Sequence, residues 1–191
     1  MKLKHNYMLT SLFGKKRLTE DKLANVFVNS VLRAVEGSFA DLAEVIANDG
    51  EFERKPFYDA NDSDKFLMIV IVGNLSFLPK YFSNTEEMII KGKVISKLGT
   101  VFGLPYEEMN KVVKEYEQFI YRVNHPSKNM LYGMSKAYFY KYNLGPYQDD
   151  YFSDMNAPNP ILLKRMDTLL ENYLWDWSDF LGKFKFSPKE A

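Results

Sequence analysis

Cysteine is absent from this chain of 191 residues, and histidine occurs only twice. Without cysteine the protein has no disulfide, no thiolate nucleophile and no cysteine-ligated zinc. The two histidines, His5 and His125, are too few for a histidine-rich metal site. Neither completes the Glu-x-x-His pair that binds iron in helical bundles. We therefore expect a cytoplasmic protein in which no metal ligand can be named.

An excess of charge is also missing, because 25 Lys and Arg balance 25 Asp and Glu. Dedicated nucleic-acid binders usually carry a basic excess, so we expect no nucleic-acid partner. There is no Gly-x-Gly-x-x-Gly or P-loop motif and no Gly-x-Ser-x-Gly elbow, so no cofactor or catalytic residue is predicted. The most apolar run, 66–72, is far shorter than the roughly 20 residues of a membrane-spanning helix, and we expect no transmembrane segment.

What the sequence does have is two long stretches whose apolar residues follow helical spacing. Such stripes are buried against other helices, so they predict an all-α domain. The first stripe consists of Met109, Val112, Val113, Tyr116, Phe119, Ile120 and Val123. The second consists of Leu162, Leu163, Met166, Leu169, Leu170, Tyr173, Leu174, Trp177 and Leu181.

Helix starts and stops divide the chain into a basic lead-in (1–18), one all-α domain (19–182) and a short tail (183–191). We predict a bundle of about six helices. The first begins after Thr19, is interrupted at Gly37 and resumes after a capping box at Ser38. The other predicted helices span 64–78, 86–98 with Thr85 as cap, 105–124, 127–142 with Ser127 as cap, and 159–182.

The segment 64–78 is apolar on nearly every side, as a helix in the centre of a bundle would be. Its β-branched residues at 69–72 would also fit a buried strand, and periodicity does not separate the two. We favour a central helix because the rest of the chain offers few partner strands. Pro79 ends or kinks it.

Two turns are similar to turns of tellurite-resistance-type helical domains. They are Asp49-Gly50 after one helix, and the stretch 103–108, Gly-Leu-Pro-Tyr-Glu-Glu, at the start of another. The similarity covers these turns alone, and the clustered acidic residues expected of that family are missing. Both turns are also ordinary helix punctuation.

Three patterns have a functional alternative but are more typical of ordinary structure. His125 is expected to be a turn residue, with a general base as the alternative. A calcium loop would begin with Asp59, Asn61 and Ser63. That match fails at its Gly and Glu positions, so a polar turn is favoured. Carboxylate pairs that fit acid–base work, but are more typical of a solvated face, are Asp167 with Glu171 and Asp176 with Asp179.

The basic lead-in combines charge with apolar residues, a mixture that can lie on an anionic membrane surface. Its candidate contacts with such a surface are Lys15, Lys16 and Arg17. A terminus that is docked or frayed is the commoner alternative.

An aromatic stretch (132–152) runs into a long acidic connection (143–160) that contains no Lys or Arg. Connections of this length are often functional, and exposed tyrosine is common at protein interfaces. The candidate interaction surface comprises Tyr138, Tyr142, Tyr147, Asp149, Asp150, Tyr151, Phe152 and Asp154. The alternative is a loop whose own aromatic side chains pack it against the helical bundle.

These observations favour a non-catalytic protein-interaction or regulatory module, whose partner is another protein or a second copy of the chain. One alternative is a small-molecule binder or enzyme with a pocket between helices, since bundles build such sites in their cores. Another is a peripheral membrane-surface protein that uses residues 1–17.

Overall fold

The computed structural model describes residues 16–57, 59 and 62–186. Its seven longer α-helices and one short one confirm the all-α prediction. The helices and strands are β1 (Lys16–Leu18), α1 (Glu20–Ala47), α2 (Asp64–Leu75), α3 (Asn84–Phe102), α4 (Tyr106–Asn124), α5 (Met130–Lys141), α6 (Asp150–Asp154), α7 (Pro160–Leu170), α8 (Trp177–Lys183) and β2 (Phe184–Phe186). Short 3-10 turns lie at Leu78–Lys80, Gly145–Tyr147 and Glu171–Tyr173.

The central segment is a helix, α2, and not a strand. Every residue from Phe66 to Leu75 is buried, and α1, α4 and α5 pack around it. A helix satisfies its own backbone hydrogen bonds, so it can be enclosed on all sides without partner strands. The helix ends at Leu75, three residues before the predicted end, and Pro79 lies in the 3-10 turn that follows.

The first helix is continuous, so the predicted interruption at Gly37 was wrong. Ser38 does not cap a second helix; its Oγ donates to Ala34 O at 2.6 Å. The same Oγ lies 2.7 Å from the Tyr173 hydroxyl, which must donate to it. A glycine inside a helix costs only about 1 kcal/mol, and the packing of α1 against α2 and α3 outweighs that cost.

Two predicted helix starts are displaced because a neighbouring residue provides the N-cap, and one predicted helix end lies further along the chain. α3 is capped by Ser83, in a capping box with Glu86, and not by Thr85. Gly99 lies inside α3, which continues to Phe102 and stops at Gly103 with φ of 66°. A Cβ at Gly99 would lie 2.7 Å from Leu104 O, so this glycine is needed for close approach of the chain. α5 is capped by Asn129 rather than Ser127.

The predicted long helix at 159–182 is two helices separated by a short break. The buried side chain of Asn74 satisfies the backbone there: its Nδ2 donates to Tyr173 O at 2.9 Å, and its Oδ1 accepts from Trp175 N at 2.7 Å. The Trp177 indole then donates to Asn74 O at 3.3 Å. The apolar spacing carried no sign of this polar contact, which replaces the helical hydrogen bonds at the break.

The two ends of the described chain meet in a small parallel sheet. β1 pairs with β2 so that Arg17 faces Lys185 and Leu18 faces Phe186. The Phe186 ring packs edge-on against Phe82, with centroids 5.5 Å apart. Phe82 in turn contacts the core ring of Trp177, so the sheet is joined to the core.

We predict that Asn74→Ala lowers the free energy of unfolding by about 3 kcal/mol. The change removes the side-chain bonds to Val70 O and Tyr173 O, and it removes the acceptor of the Trp175 backbone N–H. Urea unfolding followed by tryptophan fluorescence measures the change. Asn25→Ala, on the exposed face of α1, is the matched control and should change stability by less than about 0.5 kcal/mol. Equal midpoints for the two variants would contradict the role given to Asn74.

Glycine substitutions in two helices are predicted to have opposite signs. Gly37→Ala should stabilise by about 0.5–1 kcal/mol, because a Cβ there meets nothing within 4 Å. Gly99→Ala should destabilise by about 1–3 kcal/mol, because the new Cβ overlaps a backbone oxygen. Thermal unfolding of both variants checks the pair, and stabilisation by Gly99→Ala would show that the turn after α3 adjusts freely.

Candidate functional site

The predicted interaction surface is divided by the fold, because its first two tyrosines belong to the core. Tyr138 is fully buried and Tyr142 is 5% exposed, so neither contributes to a surface. The Tyr142 hydroxyl donates to Asp62 O at 2.7 Å and accepts from Phe66 N at 3.1 Å. It thereby caps the first turn of α2, where Ser63 makes no side-chain cap. The periodic pattern does not reveal this contact between α5 and α2.

The acidic connection after α5 is folded and anchored. Gln148 is 3% exposed; its Oε1 accepts from Asn159 N at 2.6 Å, and its Nε2 donates to Ala157 O at 3.0 Å. Tyr147 O accepts from Glu53 N at 2.9 Å. These bonds tie the connection both to itself and to the segment that follows α1.

A cluster of charged side chains lies beside the Gln148 hydrogen bonds. The Arg165 guanidinium contacts Asp49 Oδ1 at 2.7 Å and Glu51 Oε1 at 3.5 Å. Asn159 Nδ2 donates to the other oxygen of Glu51 at 2.8 Å. The negative charges of Asp49 and Glu51 are therefore paired with the positive charge of Arg165 within the protein.

Three further members of the predicted surface have structural contacts. Asp149 caps α6, since its Oδ1 accepts from Phe152 N at 3.1 Å. The Phe152 ring is half-buried and packs edge-on against Tyr151, with centroids 5.2 Å apart. Tyr147 is also half-buried, and its hydroxyl donates to Phe57 O at 3.4 Å. These contacts hold α6 in place within the 143–160 connection.

The exposed side chains form a small patch on α6 and its C-cap residue Met155, here called the α6 face: Asp150, Tyr151, Asp154 and Met155. Tyr151 is 67% exposed and Met155 is 58% exposed. The apolar pair and the acidic pair are each separated by four residues, which places each pair along one side of the helix. Sequence reasoning missed Met155 because it treated this segment as a loop. The cap at Asp149 was the available signal for a helix.

Two other exposed apolar side chains, Phe57 at 88% and Ile161 at 54%, were also missed. They lie in the segments that the anchor joins: Phe57 O accepts from Tyr147, and Ile161 N donates to Asn159 Oδ1 at 2.8 Å. Single exposed apolar residues are common on protein surfaces. Phe57 and Ile161 are notable only because they lie beside the anchored connection.

The predicted basic contacts fall at the edge of the described chain. Lys15 and the rest of 1–15 lie outside the described residues, and Lys16 is described only as backbone in β1. Arg17 is exposed, and it pairs in register with the exposed Lys185. Among the described residues, no helix has the length and apolar character needed to cross a membrane.

Three groups with shifted pKa values lie at contacts between helices and do not form a single site. Burial, together with Asp62 and Asp64, raises the pKa of Tyr116 to about 12. Burial lowers the pKa of Lys141, whose Nζ lies 4.3 Å from the centre of the Tyr116 ring. Burial raises the pKa of Asp167, against the opposing effect of a hydrogen bond from Ser135. These groups lie where α5 packs on α4 and on α7.

The remaining candidate functional residues have ordinary structural roles or lie outside the described residues. Asp176 caps α8 by accepting from Asp179 N at 2.8 Å, and Asp179 pairs with Lys183. The calcium-like turn includes Asn61, which lies outside the described residues. Within 16–57, 59 and 62–186, no group of three or more His, Asp or Glu is placed to hold a metal ion. His125 is an exposed residue at the C-terminal end of α4.

Comparison of this chain with protein-family models, curated proteins and solved structures found no match. The likeness of two turns to tellurite-resistance-type domains therefore gains no support. Function has to be inferred from the geometry of the described residues.

We predict that Gln148→Ala loosens the acidic connection while the bundle stays folded. The change removes both side-chain bonds that join 148 to 157–159, and we expect a loss of about 2 kcal/mol in local stability. Amide hydrogen exchange should accelerate at Asn159 and across α6 but not in α2. Gln118→Ala, on the exposed face of α4, should leave exchange unchanged. Uniform acceleration in both variants would show that the anchor is not local.

Proposed function

We propose that this protein is a non-catalytic interaction or regulatory module whose α6 face binds a basic segment of another protein. The observation that carries the proposal is an exposed tyrosine and methionine beside two aspartates on a helix that the fold holds in place. The expectation of a cytoplasmic protein, which rests on the absence of cysteine, stays a prediction.

Charge supports a basic partner. The stretch 143–163 contains three aspartates and no Lys or Arg. A lysine or arginine of the partner can place its charge against Asp150 and Asp154 while its stem lies along an aromatic ring. Tyr151 supplies that ring, and it also offers a hydroxyl at the rim of the contact.

Apolar contact supports a partner segment that also carries an aliphatic or aromatic residue. Met155 is flexible and polarisable, so it adapts to side chains of different shape. It lies one helical turn from Tyr151, so one partner residue can contact both. An α6 face of four residues is small, which favours a short segment over a large rigid surface.

Anchoring supports recognition because a preorganised surface loses less conformational entropy on binding. The Gln148 and Asp149 contacts hold α6 before any partner arrives. The alternative of a loop packed over the bundle explains Phe152 and Tyr147, but it gives no role to the exposed Tyr151 and Met155.

The test is selection of binders from a library of displayed random peptides on the purified full chain. We expect the enriched peptides to combine Lys or Arg with an aliphatic or aromatic residue. Their affinity should fall about tenfold for Tyr151→Ser, a loss typical of one aromatic anchor. Asp150→Asn with Asp154→Asn should weaken the same peptides and reduce the salt dependence of binding.

Tyr121→Ser is the matched control, because Tyr121 of α4 is similarly exposed, at 75% against 67% for Tyr151, and lies outside the α6 face. It should leave the affinity of the selected peptides unchanged. Enrichment of acidic peptides, equal losses in both tyrosine variants, or a failure to enrich any sequence would each refute the proposal.

A further inference from the structure

Two positive charges face each other on the small sheet formed by β1 and β2, here called the terminal sheet. Arg17 and Lys185 are both exposed and are paired in register across the two strands. Neighbouring strands lie about 4.8 Å apart, so the two side chains begin at adjacent positions on one face of the sheet. Like charges placed directly opposite each other destabilise a sheet. A partner that brings negative charge to this face would relieve that repulsion.

The described residues do not supply that negative charge. Within 16–57, 59 and 62–186, neither Arg17 nor Lys185 forms an ion pair. Asp21 and Asp179 lie near the terminal sheet in the sequence, but they are paired with lysines of α3 and α8 at 2.9 and 2.6 Å. The charge of the sheet is therefore open to an outside partner.

The α6 face has the opposite charge at a similar spacing. Asp150 and Asp154 are exposed, and neither forms an ion pair with another described residue. Residues four apart in a helix are separated by about 6 Å along its axis. Two long cationic side chains that begin about 4.8 Å apart can therefore reach both carboxylates at once.

The sequence that enters the terminal sheet has the composition expected for the partner of the α6 face. Lys15 and Lys16 directly precede Arg17, and Leu12 and Phe13 come just before them. This short stretch combines cations with apolar side chains, as does the partner segment inferred for the α6 face.

Within one molecule the terminal sheet and the α6 face lie at opposite ends of α1. The sheet directly precedes α1, whose 28 residues span about 42 Å. The segment after α1 bonds to the acidic connection, where Glu53 N donates to Tyr147 O at 2.9 Å. The two surfaces are therefore too far apart to meet in a single molecule, whereas two copies can bring them together.

We propose that the basic segment bound by the α6 face is the terminal sheet of a second copy of this chain. The inference rests on the proposed function, because it names the partner of the α6 face. The two cations of one copy pair with Asp150 and Asp154 of the next, and the Arg17 guanidinium stacks on the Tyr151 ring. Because the two surfaces differ, copies join head to tail and each added copy presents a new free surface.

Sedimentation equilibrium of the purified full chain at low ionic strength tests the proposal. We expect the average mass to rise with protein concentration beyond that of a dimer. It should fall back to the monomer in about 1 M salt, where charges are screened beyond about 3 Å.

Charge reversal identifies the two surfaces. The pair Arg17→Glu with Lys185→Glu, and the pair Asp150→Lys with Asp154→Lys, should each weaken association about tenfold or more. An equimolar mixture of these two variants should associate again, because each then offers a surface complementary to one on the other. Recovery on mixing cannot come from a variant that has lost its fold.

Lys111→Glu with Lys114→Glu is the matched control, since it makes the same change of net charge at exposed residues of α4. It should associate like the wild-type chain. A wild-type chain that stays monomeric, a control that dissociates as much as the sheet variant, or a mixture that fails to associate would each overturn the inference. Sedimentation of a monomeric chain with phosphatidylserine vesicles through Arg17 and Lys185 would also overturn it, by assigning the sheet to a membrane.

Failure of this inference is distinguishable from failure of the proposed function. A monomeric chain whose α6 face still selects basic peptides would refute self-association alone. If no basic peptide binds the α6 face and the chain also stays monomeric, both are wrong.

Discussion

The side chain of Asn74 is the polar contact on which the arrangement of the C-terminal third depends. It lies fully buried near the end of α2, and it bonds to backbone on both sides of the break between α7 and α8. A buried polar group without a partner is costly, so the break and the asparagine stabilise each other. Because the break is placed there, Trp175 and Trp177 turn back onto Phe27 of α1, within 5.4 Å between ring centres.

Tyrosine hydroxyls make the same kind of long-range connection elsewhere. Tyr142 caps α2, and Tyr173 donates to Ser38 in the middle of α1. Each ring is buried while its hydroxyl bonds to a helix distant in the sequence. The high aromatic content, 16% of the chain, is thus largely used inside the fold, and it does not measure a surplus at the surface.

Two buried amide side chains, Gln148 and Asn124, differ in how their polar atoms are satisfied. Gln148 bonds through both of its amide atoms, and these bonds join the acidic connection to the start of α7. Asn124 is buried to a similar degree, yet its Oδ1 has no partner in the described chain. The first arrangement is typical of a structural anchor, whereas the second leaves a buried acceptor unsatisfied, which costs free energy.

The sequence was sufficient for the helical class, the buried stripes and the central position of α2, because these follow from apolar spacing within a single segment. It also located the acidic connection, and with it Asp150, Tyr151 and Asp154 of the α6 face. It misplaced the break in the last helix, the continuity at Gly37 and the location of Tyr138 and Tyr142. Each of these was decided by a contact between distant residues, such as Asn74 with Trp175 or Tyr142 with Phe66. Local patterns record which side chains prefer burial, whereas the partner of a buried polar group is fixed only when the helices pack.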